Sequence, residues 1–325
     1  MHFHFSAVAI FKFPHIPLSL NSSIVTVGMF DGVHIGHRHI VGTLIHEAEQ
    51  RFLRPLVVTF DRHPRSVLGC SGVSQALLCD AGERVERLQA LGDIDIVVLP
   101  FDKDMSQLSA CEFLRQILVA RLGCRAILLG YDNSFGSKHR DDFGQLPILA
   151  DELKISLLRD NPILIDGAPV SSSRIRKTIG AGDMVLTRRL LGHSYGVSGC
   201  VFSGRKVGRT IGFPTANVSL AGSGRLLPKV GVYAVHVHRQ DENRALLGMC
   251  NLGGQPTFGL DDVTLEVNIF DFSESLYEEV VEVSFEWRLR DIVRFDTVDE
   301  LRAQLQSDQA AIRRWFAANS PYDNV

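Results

Sequence analysis

Gly28-Met29-Phe30-Asp31-Gly32-Val33-His34-Ile35-Gly36-His37 follows an apolar, β-branched run at 24–28 and leads into an apolar-periodic stretch at 40–52. A buried strand passing through a glycine-bearing loop into a helix is the repeating unit of a parallel sheet. The same alternation continues outward, with further strand-like runs at 56–60, 94–99 and 126–130 and an amphipathic segment at 110–122. It predicts an α/β domain in which helices cover the faces of a parallel sheet.

The quoted loop also carries chemistry. Two imidazoles at i and i+3 face one side of a helix. Gly36 removes a side chain where a phosphate must approach, and the helix start offers amides to an anion. In nucleotidyl transfer, donors that hold charge developing on phosphoryl oxygens lower the barrier without a covalent intermediate. His34 and His37 are the candidate donors. By itself the pattern leaves a blander reading open, because histidines at a helix start commonly cap it or face solvent. A second segment, Val170-Ser171-Ser172-Ser173-Arg174-Ile175-Arg176, places a run of hydroxyls at a helix start, with Arg174 or Arg176 as counter-charge for a triphosphate.

Beyond a glycine-containing stretch at 180–192 the periodicity changes. Strand-like runs recur at 197–202, 232–237, 246–252, 263–270 and 280–285, separated by Gly, Pro, Asn and Asp, as in a compact β-barrel or sandwich. A closing helix is predicted from Thr297 and Glu300, spaced as a capping box, with Val298, Leu301, Leu305, Ile312, Trp315 and Phe316 as its apolar face. The resulting organisation is two domains, 1–184 and 185–325, within the size range of single cores.

The second half has its own phosphate-type segment, 204–217. Glycines and basic residues there can wrap phosphates through backbone amides, although the Walker ending is missing. If 214–217 is extended, Thr215 and Asn217 point to one side, where a hydroxyl and an amide oxygen can hold Mg²⁺; a barrel turn with both bonded to backbone is the alternative. In the alternating run 263–269, Thr264, Glu266 and Asn268 share a face opposite the apolar residues. Glu266 is the candidate base for a substrate hydroxyl.

Composition narrows the partners. Of the 325 residues, 45% are apolar and 22% charged, and a formal charge of −3 without basic tracts argues against nucleic acid or an anionic membrane as partner. Six scattered cysteines without a CxxC pair read as reduced thiols. The apolar run at 7–11 is too short for a signal core, and no stretch approaches the ~20 apolar residues of a membrane span. The expectation is a cytoplasmic protein; oligomeric state is not readable.

Taken together, the segments resemble the bacterial bifunctional riboflavin kinase and FAD synthetase family. In the first half the likeness rests on 28–37, 58–65, Gly130-Tyr131-Asp132 and 171–176. In the second half it rests on 204–217, 227–233, 256–259, 265–267 and Leu289-Arg290-Asp291. The resemblance implies riboflavin phosphorylation by a six-stranded barrel with a terminal helix, and FMN adenylylation by the first half, with ATP as co-substrate and Mg²⁺ as cofactor. It implies that ATP phosphates meet Gly28, Phe30, Asp31, Gly36, Ser171, Ser172, Ser173 and Arg174 in one half and Gly204, Arg209, Gly212 and Pro214 in the other. Arg176 joins the histidines in catalysis, and flavin meets Asp61, Pro64, Asp132, Phe135 and Arg290. Departures include Asn133-Ser134 before Phe135, Asp141-Asp142 after Arg140, and Ser173 in place of threonine. The altered loop keeps two alternatives open: a riboflavin kinase with an impaired first half, and a non-catalytic flavin-binding module. A tRNA synthetase is excluded, since no KMSKS-like segment is present.

Overall fold

The computed structural model describes residues 10–12, 22–62, 76–131, 143–204, 207–220, 224–240, 242, 244–254 and 263–319. Contacts divide the chain into two compact units, Met1–Ser172 and Ser173–Val325.

In the first unit, β1 (Ile10–Lys12), β2 (Ser23–Val27), α1 (Ile35–Arg51), β3 (Arg54–Phe60), α2 (Ala81–Gln89), β4 (Asp95–Leu99), α3 (Lys103–Gln107) and α4 (Ala110–Phe113) follow in order. They lead to β5 (Cys124–Leu129), α5 (Leu146–Glu152), β6 (Ser156–Arg159), and the two-residue strands β7 (Leu164–Ile165) and β8 (Ala168–Pro169). Six strands form one parallel sheet in the order β1-β4-β3-β2-β5-β6. Each central strand is buried on both faces because successive side chains alternate. Val25, Leu56, Val97 and Ile127 enter one core with Phe113 and Leu118, and Ile24, Val57, Ile96 and Ala126 enter the other with Val41 and Leu44.

The strand order reverses between β2 and β5. In open parallel sheets, ligands bind beyond the carboxyl ends of the strands at such a reversal. The His34–His37 loop leaves β2 at that point.

The parallel α/β unit agrees with the sequence expectation. Two details do not. The amphipathic segment is helical only as far as Phe113, then widens into a π-helix at Leu114–Val119, with the Ala120 amide reaching the Arg115 carbonyl at 3.1 Å. The edge strands β1 and β6 were not anticipated.

The second unit contains α6 (Ser172–Ala181, whose first residue belongs to the first unit), α7 (Met184–Leu191), β9 (Tyr195–Phe202), α8 (Val207–Thr210), β10 (Ala216–Ser219), β11 (Gly231–Arg239), β12 (Leu246–Gly254), β13 (Val263–Ile269), β14 (Val280–Arg290) and α9 (Val298–Ala318). Its strands close an antiparallel barrel in the order β10-β13-β12-β11-β14-β9, with β9 returning to β10. Helix α9 covers the barrel. Ile312 and Phe316 pack with Ala234, Met249 and Phe213, and Trp315 stacks on Trp287 with ring centroids 5.8 Å apart. Two parts of the expected helix start differ. The Thr297 hydroxyl does accept the Glu300 amide at 3.2 Å, but the Glu300 carboxylate accepts from the Asp296 amide, one residue early for a reciprocal box. Val298, the first residue of α9, is exposed and takes no part in the apolar face.

Candidate active sites

The loop after β2 is strained and held in place. Phe30 and Val33 have φ of 49° and 40°. For a β-branched residue this conformation is a true outlier, and such strain costs roughly 1–3 kcal/mol per residue. The fastening is visible. Asp31 is buried, and its Oδ1 accepts from the Leu78 and Cys79 amides at 2.9 and 3.2 Å. The Gly32 amide donates to Cys79 Sγ at 3.0 Å, and Ser172 Oγ donates to the Asp31 carbonyl at 3.0 Å. Asp31 therefore spends its carboxylate on shaping the loop.

His34 is the N-cap of α1 rather than a residue within it, and its Nδ1 accepts from the His37 amide at 3.2 Å. That acceptor role places the proton of a neutral His34 on Nε2. The two rings stack, with centroids 3.5 Å apart at 15°, and the buried Phe30 meets His37 edge-on at 5.1 Å. The pair comes together through the cap, not through i, i+3 helix geometry. Burial, then the charges of His34 and Arg84, hold the His37 pKa well below its ordinary value. Its Nδ1 is buried and has no hydrogen-bond partner among the described residues.

Around this pair, the Gly28 amide donates to the Val58 carbonyl at 3.0 Å. A Cβ on Gly36 would press on the His34 ring at 3.2 Å, with the Val170 carbonyl 3.6 Å away. Asp61, at the end of β3, accepts from the Phe101 amide at 2.8 Å and from Arg62 at 3.0 Å. Burial pushes its pKa up, but these hydrogen bonds and the Arg62 charge outweigh it and leave it lowered. Ser171 lies just before α6; Ser173, Arg174 and Arg176 lie on α6, the two arginines half-buried. Pro64, Asp132 and Phe135, with the altered loop at 133–142, lie outside the described residues.

In the barrel, Glu266 on β13 stands opposite Asn217 of β10 on one side and Asn251 of β12 on the other. Cross-strand partners share a face. On that face Asn217 is buried, Glu266 half-buried and Asn251 exposed. The face borders a cavity of about 260 Å³ lined by Gly208, Thr215, Glu266, Asn268 and Arg290 and roofed by Leu305 of α9. Burial raises the Glu266 pKa. Asn268 donates to the Pro214 carbonyl at 2.7 Å and so fixes the segment that runs through Thr215 into β10, which carries Asn217. Gly204 makes room for Asn217: a Cβ there would sit 2.7 Å from the Asn217 side-chain amide carbon. One-turn α8 closes through the Phe213 amide to the Gly208 carbonyl at 2.8 Å, leaving Arg209 exposed and Gly212 at φ 86°.

Arg290 ends β14 and is already engaged. Its Nε donates to both oxygens of Asp308 at 3.0 and 3.1 Å, Nη2 reinforces that pair, and Gln304 donates to the same carboxylate at 2.8 Å. Asp308, Asn251 and Arg84 were missed by the sequence reading. Asn251 left a faint signal as a lone amide in an otherwise apolar strand.

Residues 17–174 match the family model described as FAD synthetase, and residues 191–316 match the one described as riboflavin kinase. The bifunctional riboflavin kinase/FMN adenylyltransferase of Bacillus subtilis (strain 168) is 33% identical over 91% of this chain and 93% of its own length. The chain belongs to the bifunctional riboflavin kinase/FMN adenylyltransferase family. The Escherichia coli (strain K12) protein of that description is 32% identical over 92% of this chain and 94% of its own. A crystal structure described as a macrolide-efflux protein from Streptococcus pneumoniae superposes with a TM-score of 0.84 at 30% identity, covering 94% of this chain and 99% of that one. Among the described residues here, no helix is long and apolar enough to cross a membrane.

Proposed function

We infer that this chain makes FMN from riboflavin and ATP in its barrel unit, and FAD from FMN and ATP in its first unit. Family membership extending across both halves carries the reading, since each half matches a model for one reaction.

In the barrel, the riboflavin 5′-hydroxyl oxygen attacks the γ-phosphorus of ATP, the bond to the β-bridging oxygen breaks, and ADP leaves. Glu266 accepts the hydroxyl proton. Its burial raises its basicity, which suits a base working on a hydroxyl. Thr215 and Asn217 fit Mg²⁺ by donor type, offering neutral oxygens beside Glu266. Among the described residues no cluster of three or more His, Cys, Asp or Glu forms a metal cage. When bound, Mg²⁺ neutralises charge on the phosphates. Gly204, Gly212, Pro214 and Arg209 shape and charge the loop along the nucleotide, and Arg290 orders the flavin end of the cavity.

In the first unit, a phosphate oxygen of FMN attacks the α-phosphorus of ATP and pyrophosphate leaves. His34 and His37 donate hydrogen bonds to the phosphate oxygens. Gly28 and Gly36 keep the strand exit open, while Phe30 and Asp31 hold the histidines in position. Ser171 and Ser172, the latter bonded to the Asp31 carbonyl, receive the triphosphate. Asp61, Pro64, Asp132 and Phe135 contact the flavin. The protein acts in the cytoplasm on these small molecules, without nucleic acid or membrane. Incubating the purified chain with riboflavin, ATP and Mg²⁺ tests the reading: FMN accumulates first and FAD follows. FMN without FAD would refute the assignment of the first unit.

A further inference from the structure

Arg84 is a buried charged side chain that has no part in either reaction as described so far. It lies on α2 and is 1% exposed. Nη2 donates to the carbonyl of Phe60, the last residue of β3. Nε and Nη1 are buried and have no hydrogen-bond partner among the described residues.

Three carboxylates lie near enough to act on its charge, Asp31, Asp80 and Asp61, yet each holds other groups. Asp31 takes the Leu78 and Cys79 amides, Asp80 caps α2 through the Glu83 amide, and Asp61 binds Arg62 and the Phe101 amide. Nearby arginines of the unit behave differently: Arg54 pairs with Asp95, and Arg87 pairs with Glu83. A buried cation without a contacting anion is costly and is ordinarily paired. Its location is informative. Arg84 reaches the carboxyl end of β3, the strand beside β2, and its field acts on His37. The buried, unpartnered nitrogens Nδ1 of His37 and Nε and Nη1 of Arg84 thus belong to the substrate end of adjacent strands.

We propose that Arg84 is an anion-recognition residue of the adenylylation site, its guanidinium completed by phosphate oxygens of a bound substrate. The proposal rests on the adenylyltransferase reading of this unit. The shared chemistry is a phosphate oxyanion, supplied either by the FMN phosphate or by the polyphosphate of ATP.

Steady-state FAD formation from FMN and ATP, without riboflavin, tests it in Arg84→Met, which removes the charge at similar bulk, and Arg84→Lys, which keeps it. Loss of a charge-assisted hydrogen bond raises KM by roughly 10- to 100-fold in the methionine variant. A rise confined to FMN identifies the flavin phosphate; a rise confined to ATP, with weakened inhibition by inorganic pyrophosphate, identifies the polyphosphate. The lysine variant retains most of the affinity. A folded Arg84→Met with both KM values and pyrophosphate inhibition unchanged overturns the proposal, while FAD formation by the wild type leaves the function of the unit standing. Should the methionine variant fail to fold, hydrogen exchange on the wild-type chain decides. Protection of 81–89 by pyrophosphate or FMN supports the proposal, and no protection by either overturns it.

Discussion

Asn217 and Glu266 are cross-strand partners, β10 against β13, so the proposed metal ligand and the proposed base share one face of the barrel. Directly opposed residues have Cβ atoms about 4.5–5.5 Å apart. A phosphate-bound ion and the attacking hydroxyl can therefore be served by neighbours on a rigid sheet, without a loop having to close to bring them together.

Glu266→Gln removes the proton acceptor but keeps the shape. Riboflavin phosphorylation in single turnover falls by about 10²- to 10⁴-fold, the range for general-base catalysis. FAD formation from added FMN is unchanged. An unaltered phosphorylation rate would rule out Glu266 as base.

The pH dependence of the kinase step follows from burial. Because burial raises the Glu266 pKa, the carboxylate form is lost on acidification earlier than for an ordinary glutamate. The acid limb of kcat/KM for riboflavin phosphorylation then lies at higher pH than an ordinary glutamate would give, and profiles of FMN formation between pH 4 and 8 are expected to show it.

Gly204→Ala forces a methyl group against the Asn217 amide. Overpacking of this kind costs about 1–3 kcal/mol. The side chain that yields is Asn217, so KM for MgATP in the kinase reaction rises more than KM for riboflavin. An equal rise in both would place the disturbance elsewhere.

His37 links pH to stability in the first unit. Its folded pKa lies well below the ordinary 6.5, so the unfolded chain binds more protons there than the folded one. Its contribution is complete above pH 6.5 and declines as pH falls from 6.5 toward the folded value. Unfolding of the first unit, followed from pH 7.5 to 5, loses stability over that window, and His37→Gln flattens the loss.

Asp308 is 2% exposed and holds Arg290 through two oxygens. Asp308→Ala leaves the arginine without its anion, at a cost of about 3–5 kcal/mol. Denaturant unfolding of the barrel transition measures it.

Much of this was legible in the sequence because apolar runs with glycine punctuation mark strands, and the resemblance ordered the motifs along the chain. The strain at Val33 was not, since a β-branched residue ordinarily signals φ below zero. Nor was the pairing of Asn217 with Glu266, because register is a property of closed neighbours rather than of one strand. Arg84 was hidden by its setting: Glu83 and Arg87 at i, i+4 give α2 the look of a solvated helix. Arg290 read as a flavin contact, whereas its bond to Asp308 depends on where α9 lies.

The most direct test of the central claim, two reactions at two separate sites, is a chromatographic time course of riboflavin, FMN and FAD with His37→Ala and Glu266→Gln side by side. The account predicts that His37→Ala converts riboflavin to FMN and stops. Glu266→Gln should barely touch riboflavin yet still convert added FMN to FAD. Loss of both activities in either folded variant would contradict it.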